Sequence, residues 1–589
     1  MNIQGGKWVP WWWELISPYK RMLALGLFAT VVCGIAASWV PYWSGEAVRA
    51  IEDGAYPLSR QNLLWMLLVT LIAGVGRYFM RNILIGLSRQ IERAQREKIF
   101  EFLLRRPFSF YERQTTGDLM SRIGDDVSTV RMATGPGLMS LLQTASILPM
   151  TLILMIHTDL RVTLAVLIPF ALLPCCYYFL GRWSHTNQQK LQLSSSALTT
   201  FSHETISGEK VVQAFGLENI RVESFTALSR EQARLNVLQT ALFSSYGPIA
   251  AIMGGLSVIV LIWYGGAIVL NGRLGIGDLT AFTGYLAALG WPVMSVGWAA
   301  NLFQRGKAGQ LRIRHLLAAL ETAVPPLELG EEQAGSGEQG ADSPAEIQTT
   351  NLGIRFESGR GLGPISISIP SGGRLAVVGG VGSGKTLLLQ VLAGLRQPKS
   401  GVLNVNKLPM NNERLRSHWA SLGWAPQEAV LFSGSLRENL TLGRPDALDD
   451  DLWEAARTVC LDELIKRLPD GLDTVVGERG VILSGGERQR TALARALLRK
   501  PGLLLMDDSL SAVDAETESR ILSNLRTYLG KTTLILATHR VFVAELCEQV
   551  IVLDNGKLIQ SGSPGELSNA SGPYARIRAL QELARPIHI

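Results

Sequence analysis

The first half of the chain alternates long apolar runs with long polar stretches of helical character. A helix needs about 20 consecutive, mainly apolar residues to cross the hydrocarbon core of a bilayer. Six segments meet that length, and they lie near residues 22–43, 62–83, 134–156, 160–181, 245–270 and 279–300. The pattern therefore predicts an all-α membrane domain with six spanning helices over residues 21–320.

The connections between these segments differ greatly in length. Only His157, Thr158 and Asp159 separate the third segment from the fourth, and a short turn separates the fifth from the sixth. Long polar connections, rich in arginine and lysine, join the second segment to the third and the fourth to the fifth. Basic loops remain on the cytoplasmic side of a membrane. We therefore expect both long connections and both chain termini to be cytoplasmic.

The two ends of this region have distinct compositions. The N-terminal stretch contains Trp8 and the run Trp11–Trp12–Trp13, and tryptophan prefers the lipid headgroup level, so an interfacial elbow helix is expected over residues 1–20. A signal peptide is the competing interpretation of the first apolar run, but five further spans follow and no small-residue cleavage site stands out. Residues 321–346 are rich in Gly, Pro, Glu and Ala, which predicts a flexible linker.

The composition favours a membrane protein over other classes. Hydrophobic residues make up 47% of the 589 residues and charged residues 18%, whereas soluble domains contain about a quarter charged residues. The net charge of +6 is compatible with nucleic-acid binding, but basic loops beside an anionic leaflet explain it more simply. The five cysteines form no CxxC pair and the seven histidines do not cluster, which argues against a disulfide framework and a zinc site.

After residue 346 the pattern becomes that of an α/β domain with a phosphate-binding loop. An apolar strand at 374–378 precedes GGVGSGKT and an apolar helix, and glycines in this context let backbone N–H groups approach phosphates. We expect Lys385 to reach the β- and γ-phosphates of ATP, and Thr386 to ligate Mg²⁺ together with Asp507, which ends a buried strand. The expected nucleotide-binding residues here are Gly379, Gly380, Gly382, Ser383, Gly384, Lys385, Thr386 and Leu387.

The order of further motifs is more specific than the loop alone. GGVGSGKT is followed by WAPQ with Gln427, LSGGERQR at 483–490, LLLMDD at 503–508, SAVD and ATHR. This order resembles the nucleotide-binding domain of ATP-binding cassette (ABC) transporters over residues 347–589. The stretches at 111–127 and 206–219 resemble the intracellular loops of exporter-type members. The resemblance implies a multi-domain chain, in which an all-α six-helix transmembrane domain is followed by an α/β P-loop ATPase domain.

The resemblance also implies roles for matching residues. Phe356 stands where an aromatic ring stacks on adenine, although a core phenylalanine is the alternative. Gln427 matches a glutamine that senses Mg²⁺ and the attacking water, and His539 matches a histidine that holds the γ-phosphate. Asp514 matches an aspartate that communicates between the two ATP sites of a dimer. The signature residues expected at a nucleotide held by the other subunit are Ser484, Gly485, Gly486 and Glu487, the last replacing the more usual glutamine.

Asp508 departs from the family pattern. Members of the family place a glutamate here as the general base for the attacking water, so Asp508 is the expected catalytic carboxylate, together with Gln427 and His539. An aspartate withdraws the carboxylate by about one C–C bond, roughly 1.5 Å. A misplacement of about 1 Å can lower a rate on the order of 100-fold. ATP binding should survive, because the phosphate-binding loop and Asp507 are intact.

Two cassettes sandwich two ATP molecules in this family, so the chain corresponds to half a transporter. DDSLSAVD and the stretches at 207–218 and 290–309 resemble the MdlA-like subunits of bacterial heterodimeric multidrug exporters, in which one ATP site is degenerate. We therefore expect weak hydrolysis at this chain's own phosphate-binding loop, and a different partner chain that supplies the glutamate. The alternative is a homodimer with slow hydrolysis at both sites, which the retained His539 keeps open.

The function implied by the resemblance is ATP-driven export by alternating access across the cytoplasmic membrane. Residues 115–119 and 215–218 are expected to transmit closure of the cassettes to the spans. The apolar spans fit a hydrophobic or amphipathic drug, lipid or peptide, but sparse polar residues such as Asn301 and Gln304 do not identify the cargo. An importer of the same fold is one rival. A soluble cassette protein of DNA repair or translation is another, which the six apolar segments and the lack of nucleic-acid motifs disfavour.

Overall fold

The structure, a computed structural model, describes residues 3–4, 7–8, 10–112, 114–323, 343–356, 359–477 and 481–583. The chain divides into two compact units. The first comprises Met1–Leu103 and Gly117–Ala319, and the second comprises Leu104–Thr116 and Leu320–Ile589. Most of the expected linker at 321–346 lies outside the described residues. The boundary at Thr116 falls inside the segment 115–119 that was expected to transmit cassette closure.

The first unit is helical. Within the described residues, six stretches are long and apolar enough to cross a membrane: Trp11–Glu52, Tyr56–Leu104, Thr116–Thr158, Leu160–Ser207, Glu218–Leu270 and Ile276–Ala318. Each contains one of the six predicted spans and extends beyond it, because the polar connections continue the same helices. Tyr56–Leu104, for example, is one uninterrupted helix of 49 residues. The chain is therefore a multi-pass membrane protein, and the predicted fold class is confirmed.

The helices of these stretches, and the short helix Glu209–Ala214 between the fourth and the fifth stretch, have the following bounds. The α-helices are Trp11–Ile16, Lys20–Glu52, Tyr56–Leu104, Thr116–Ser121, Val127–Met132, Leu138–Thr158, Leu160–Ser207, Glu209–Ala214, Glu218–Ser244, Tyr246–Val260, Gly266–Leu270 and Ile276–Ala323. Single π-helical turns occur at Arg122–Asp126, Ala133–Gly137 and Leu261–Gly265. In the expected elbow region, the paired strands Ile3–Gln4 and Lys7–Trp8 precede the six-residue helix and the 3₁₀ turn Ser17–Tyr19. Among the described residues before Lys20, the helical ones are therefore Trp11–Tyr19.

Close helix contacts and a few polar pairs hold the first unit together. A Cβ atom on Gly277 would overlap the carbonyl oxygen of Gly45, so helices Lys20–Glu52 and Ile276–Ala323 approach each other at glycine. Gln95 Nε2 donates to Gln310 Oε1 at 2.9 Å between two buried side chains. Such pairs satisfy polar groups that would otherwise lack partners away from water.

The second unit is built on two sheets. The larger has six strands in the spatial order Lys557–Gly562, Gln549–Asp554, Arg374–Gly379, Thr533–Thr538, Leu503–Asp507 and Leu422–Ala425. All neighbours pair in parallel except Lys557–Gly562. The smaller is antiparallel, with the order Gly361–Ile369, Ile347–Arg355, Ser400–Val405 and Leu408–Pro409. The central parallel strands are continuous apolar runs because both of their faces are buried.

Helices cover the larger sheet and complete the second unit. Its α-helices are Phe108–Tyr111, Lys385–Leu392, Leu415–Ala420, Leu436–Thr441, Asp449–Thr458, Asp462–Arg467, Gly485–Leu498, Ala515–Tyr528, Val541–Ala544, Pro564–Asn569 and Pro573–Leu583. Short 3₁₀ turns occur at Asn412–Arg414 and Gly471–Asp473, and the two-residue strands Gly434–Ser435 and Val475–Val476 pair with each other. The fold is that of an α/β P-loop domain.

Candidate nucleotide site

One edge of the larger sheet collects most of the expected site residues. Four neighbouring parallel strands end there, with Asp507 opposite Ala537 and Thr538 opposite Val378 in the register. Their carboxyl ends lead directly to Gln427, Asp508, His539 and the phosphate-binding loop that starts at Gly379. Ligands of open α/β sheets bind in the crevice outside the carboxyl ends of the strands. The strand order therefore explains why motifs far apart in sequence meet at one place.

The phosphate-binding loop has the backbone shape of an anion cradle. Gly382 and Gly384 adopt φ angles of +77° and +100°, which glycine accepts without steric cost. Helix Lys385–Leu392 starts at Gly384 without a side-chain cap, so its first N–H groups are directed at the loop. The buried hydroxyl of Ser383 also lacks a hydrogen-bond partner among the described residues. Uncapped N–H groups and an unpaired hydroxyl fit phosphate oxygens.

Lys385 is held inside this cradle. Its Nζ atom donates to the carbonyl oxygens of Gly379 and Gly380, each at 2.8 Å. Burial lowers the pKa of Lys385, while the nearby carboxylates of Asp508 and Asp507 oppose that shift. The cation is therefore already placed among the N–H groups that would receive a triphosphate.

Asp507 and Thr386 form the candidate Mg²⁺ site. Thr386 Oγ1 donates to Asp507 Oδ1 at 3.1 Å, and Asp507 is only 3% exposed. Burial raises the pKa of Asp507, whereas the hydrogen bond from Thr386 lowers it. Mg²⁺ prefers hard oxygen ligands such as a carboxylate and a hydroxyl beside substrate phosphates. These two side chains would hold the ion, which neutralises phosphate charge when bound.

Asp508 is bound to His539 rather than directed freely into the site. His539 Nδ1 lies 2.9 Å from Asp508 Oδ2 and 3.1 Å from Oδ1, so Nδ1 carries the proton that the carboxylate accepts. The backbone of Asp508 has φ +44°, and its N–H donates to Ala537 O at 2.9 Å. Aspartate is among the residues that adopt this left-handed conformation most readily. Strand Thr533–Thr538 thus fixes both the backbone and the side chain of Asp508.

Two glutamines that carry no role in the sequence reasoning organise the surroundings. Gln489 is buried, and its side chain donates to Gln427 O at 3.2 Å and to Ser511 Oγ at 3.0 Å, while Ala512 N donates to it at 2.9 Å. Gln581 donates to His539 O at 2.6 Å. Gln489 lies within LSGGERQR, so the motif could have indicated a role for it. Gln581 lies outside every motif, so the sequence gives no indication of its contact. Both fix loops that carry expected catalytic residues.

The signature motif starts a helix with a complete capping box. Ser484 Oγ accepts from Glu487 N at 3.3 Å, and Glu487 Oε2 accepts from Ser484 N at 2.7 Å at the start of Gly485–Leu498. Glutamate at this third position is one of the two residues that a capping box uses. The unusual Glu487 therefore has a structural role. A Cβ atom on Gly486 would lie 2.7 Å from Ala512 O, so a larger residue does not fit there.

The remaining expected residues lie around this edge. Asp514 caps helix Ala515–Tyr528 by accepting from Thr517 N at 2.9 Å, and this bond lowers the pKa of Asp514. Leu387, in helix Lys385–Leu392, is partly buried and its side chain packs against the hydrophobic core. Phe356 is 37% exposed and follows strand Ile347–Arg355, which distinguishes it from a core phenylalanine. The structure thus brings Lys385, Asp507, Asp508 and His539 together at one edge of the sheet. The signature residues Ser484 and Glu487 bond to each other at the start of their own helix.

Comparisons with known proteins agree with this architecture. Residues 23–293 match the family model described as ABC transporter transmembrane region, and residues 362–511 match the one described as ABC transporter. The chain is 31% identical over 579 residues to the multidrug resistance-like ATP-binding protein MdlA of Escherichia coli (strain K12), covering 97% of this chain and 96% of MdlA. It is 30% identical over 579 residues to the probable multidrug resistance ABC transporter ATP-binding/permease protein YheI of Bacillus subtilis (strain 168), covering 96% of each.

A third relative differs in its named cargo. The chain is 26% identical over 573 residues to the ATP-dependent lipid A-core flippase of Syntrophus aciditrophicus (strain SB), covering 96% of this chain and 93% of that protein. All three alignments run through both the helical unit and the α/β unit. The chain belongs to the ABC transporter family, whose members couple ATP hydrolysis to transport, and it is an ATP hydrolase of this kind.

Proposed function

We propose that this chain is one subunit of a heterodimeric exporter, and that its own phosphate-binding loop forms the site of weak hydrolysis. The observation that carries the proposal is Asp508 at the position of the general base, with its carboxylate 2.9 Å from His539 Nδ1. A glutamate would extend roughly 1.5 Å farther from the backbone. The shorter carboxylate stays beside the histidine and away from the water that a general base must reach at about 2.6–3.2 Å.

Nucleotide binding is preserved in this proposal. Lys385 and the uncapped N–H groups of Lys385–Leu392 bind phosphate oxygens, and Thr386 and Asp507 hold Mg²⁺. Gln427 follows strand Leu422–Ala425, and it would sense Mg²⁺ and the attacking water. The residues that bind ATP are intact, whereas the carboxylate of the general base, Asp508, is withdrawn. The site therefore favours retention of ATP over rapid hydrolysis.

The signature motif serves the second site. Ser484 and Glu487 organise the helix start, so that Ser484, Gly485 and Gly486 present donors to a nucleotide on the partner subunit. Asp514, which caps the next helix, communicates between the two sites. The partner is a second half-transporter with a glutamate at the position of Asp508. That composite site performs most of the hydrolysis.

The cargo is a hydrophobic or amphipathic small molecule or lipid, exported across the cytoplasmic membrane. Two relatives are named for multidrug resistance and one for flipping a lipid. The chain's spans are apolar, and their outer surfaces carry large exposed apolar side chains suited to membrane lipid. Basic residues of the long connections support cytoplasmic termini and a cytoplasmic ATPase domain. No nucleic acid takes part.

The experiment compares the purified chain alone with the chain co-purified with its glutamate-bearing partner. We expect the chain alone to bind ATP but release phosphate slowly, and the pair to turn over faster and to be stimulated by hydrophobic drugs. Robust turnover by the chain alone, abolished by Asp508→Ala, would contradict the heterodimer. The second candidate, a homodimer with slow hydrolysis at both sites, predicts slow turnover that addition of a glutamate-bearing half-transporter does not raise, and the retained His539 favours it.

The direction of transport needs a separate measurement. Inverted membrane vesicles place the ATPase domains outside, so export appears as ATP-dependent accumulation of a fluorescent drug inside the vesicles. Accumulation in right-side-out vesicles with internal ATP would instead support an importer of the same fold.

A further inference from the structure

Arg396 lies outside every recognised motif, yet it connects three parts of the second unit. Its guanidinium carbon lies 5.4 Å from the centroid of the Phe356 ring and 5.6 Å from the centroid of the Phe108 ring. The same guanidinium forms an ion pair with Glu112 and donates from Nε to Gln390 Oε1 at 2.7 Å. Phe108 and Glu112 belong to Leu104–Thr116, the segment that clusters with the cassette. One side chain therefore touches the expected adenine subsite and this segment.

The surroundings of Arg396 are those of a side chain fixed in place. Its side chain is only 9% exposed, although it carries a full positive charge. A buried charge is tolerated only when partners replace water, and here a carboxylate, an amide oxygen and two aromatic rings do so. Both rings lie within the distance of about 6 Å over which a cation attracts an aromatic face. The group of four partners therefore depends on the position of the arginine.

Phe356 is the point at which this group meets the nucleotide site. One face of its ring is covered by Arg396, and Phe356 as a whole is still 37% exposed. A base that stacks on Phe356 would use the face opposite the guanidinium. The guanidinium then contacts the face of the ring opposite the base. A movement of the ring on base binding would therefore displace Arg396.

We propose that Arg396 is a positioning residue that holds Phe356 for the adenine base and passes the occupancy of this subsite to Leu104–Thr116 through Phe108 and Glu112. The inference rests on the proposed function, because it takes Phe356 as the ring on which adenine stacks. Coupling of this kind is reciprocal. Contacts of the segment that stabilise Arg396 therefore strengthen ATP binding, and bound ATP strengthens those contacts.

The first test separates the base from the phosphates. Binding of ATP and of inorganic tripolyphosphate to the full-length chain is measured by displacement of a fluorescent ATP analogue. We expect Arg396→Ala to raise the dissociation constant for ATP about fivefold to tenfold, as for loss of a partly buried cation–π contact. Tripolyphosphate has no base, so its affinity should stay within about twofold of wild type. Arg396→Lys keeps the cation and should restore part of the ATP affinity.

The second test follows the path to the segment. Glu112→Gln should weaken ATP binding in the wild-type chain, because it removes the charge that holds Arg396. The same change should have no further effect in Arg396→Ala, since its path to Phe356 is already broken. Arg416→Ala is the matched control, because Arg416 is an exposed arginine on the nearby helix Leu415–Ala420 and should leave both affinities unchanged.

The outcomes distinguish the positioning role of Arg396 from the adenine-binding role of Phe356 on which it rests. Equal losses of ATP and tripolyphosphate affinity in Arg396→Ala, or no loss of either, would overturn the positioning role. An undiminished effect of Glu112→Gln in the Arg396→Ala background would overturn the link to Leu104–Thr116. Phe356→Ala tests the subsite itself, and an unchanged ratio of ATP to tripolyphosphate affinity would overturn the adenine role of Phe356. If Arg396→Ala does not fold, Glu112→Gln carries the comparison of ATP with tripolyphosphate, and an equal loss of both affinities in that variant would overturn the positioning role.

Discussion

At the scale of single residues, the proposed function makes the reach of the Asp508 carboxylate the limit on ATP hydrolysis at this chain's own site. Its carboxylate accepts from His539 Nδ1 at the end of strand Leu503–Asp507. Asp508→Glu moves the carboxylate outward, and we expect it to raise turnover at this site on the order of 100-fold. Phosphate release is measured in the pair after the partner's glutamate has been changed to glutamine, so that only this site reports.

The control for Asp508→Glu is Asp508→Asn, which keeps the side-chain length but removes the base. It should fall below the wild-type rate. An equal rate for aspartate and glutamate would show that side-chain reach does not limit hydrolysis, and it would remove the main support for a degenerate site.

His418 gives the second unit a stability that depends on pH. It is 5% exposed, its Nε2 donates to Leu392 O at 2.9 Å, and burial lowers its pKa from the ordinary 6.5. As the pH falls through 6.5, His418 takes up a proton in the unfolded chain before it does so in the folded chain. The free energy of unfolding therefore decreases as the pH drops below that value. The loss is at most about 1.4 kcal/mol per pH unit.

His418→Gln keeps an N–H donor but does not titrate, so its thermal midpoint should fall less than that of wild type between neutral and mildly acidic pH. The measurement is thermal unfolding of the detergent-solubilised chain at both pH values. His315→Gln, a change at an exposed histidine, serves as the control and should follow wild type. A slope for His418→Gln as steep as that of wild type would contradict the assignment.

At the scale of elements, the capping box of helix Gly485–Leu498 explains why glutamate is tolerated in the signature motif. Glutamine can make the same bond to Ser484 N, so Glu487→Gln should leave stability nearly unchanged. Glu487→Ala removes the bond and should lower the free energy of unfolding by about 0.3–1.5 kcal/mol. Thermal unfolding of the two variants checks this difference, and similar effects of Gln and Ala would contradict it.

The glycine contact between helices Lys20–Glu52 and Ile276–Ala323 makes a second prediction at this scale. Alanine at Gly277 would overlap the carbonyl oxygen of Gly45, so Gly277→Ala should destabilise the helical unit by about 1–3 kcal/mol. Gly290 lies on the same helix with no atom within 4 Å of an added Cβ. Gly290→Ala should therefore be neutral or stabilising in the same thermal assay, and a reversed order would contradict the packing.

Patterns of neighbouring residues in the sequence predict the helices, strands and motifs. Contacts between residues far apart in the sequence complete the site, and these could not be predicted. The phosphate-binding loop, the strand ending at Asp507 and the six spans follow from residues that are neighbours in the sequence. Arg396 and Glu112 are 284 positions apart, and Gln581 and His539 are 42 apart, so no local pattern indicates either contact. The helices also extend past the predicted spans, because hydrophobicity marks the membrane crossing rather than the helix end.

At the scale of the whole molecule, the proposed pair is asymmetric, and two variants of this chain should expose that asymmetry. Ser484→Ala affects the site that hydrolyses, and we expect turnover of the pair to fall on the order of 100-fold, as for loss of one transition-state donor. Lys385→Ala affects the site that retains ATP, so it should reduce trapped nucleotide with a much smaller loss of turnover. Steady-state phosphate release and nucleotide retained after gel filtration measure both effects.

The converse pattern would reverse the assignment of the two sites. A larger loss of turnover from Lys385→Ala than from Ser484→Ala would mean that this chain's own loop holds the ATP that is hydrolysed. Equal losses would support a pair of equivalent sites, as in a homodimer.

The uncapped start of helix Lys385–Leu392 has a consequence for the lifetime of the protein. A bound triphosphate supplies the missing cap, so ATP is a structural ligand of the cassette as well as its fuel. A ligand present at about 100 times its dissociation constant stabilises a fold by about 2.7 kcal/mol. We expect cells depleted of ATP to lose this support, so that the cassette opens more often and is degraded sooner. The abundance of the transporter would then follow the energy supply of the cell.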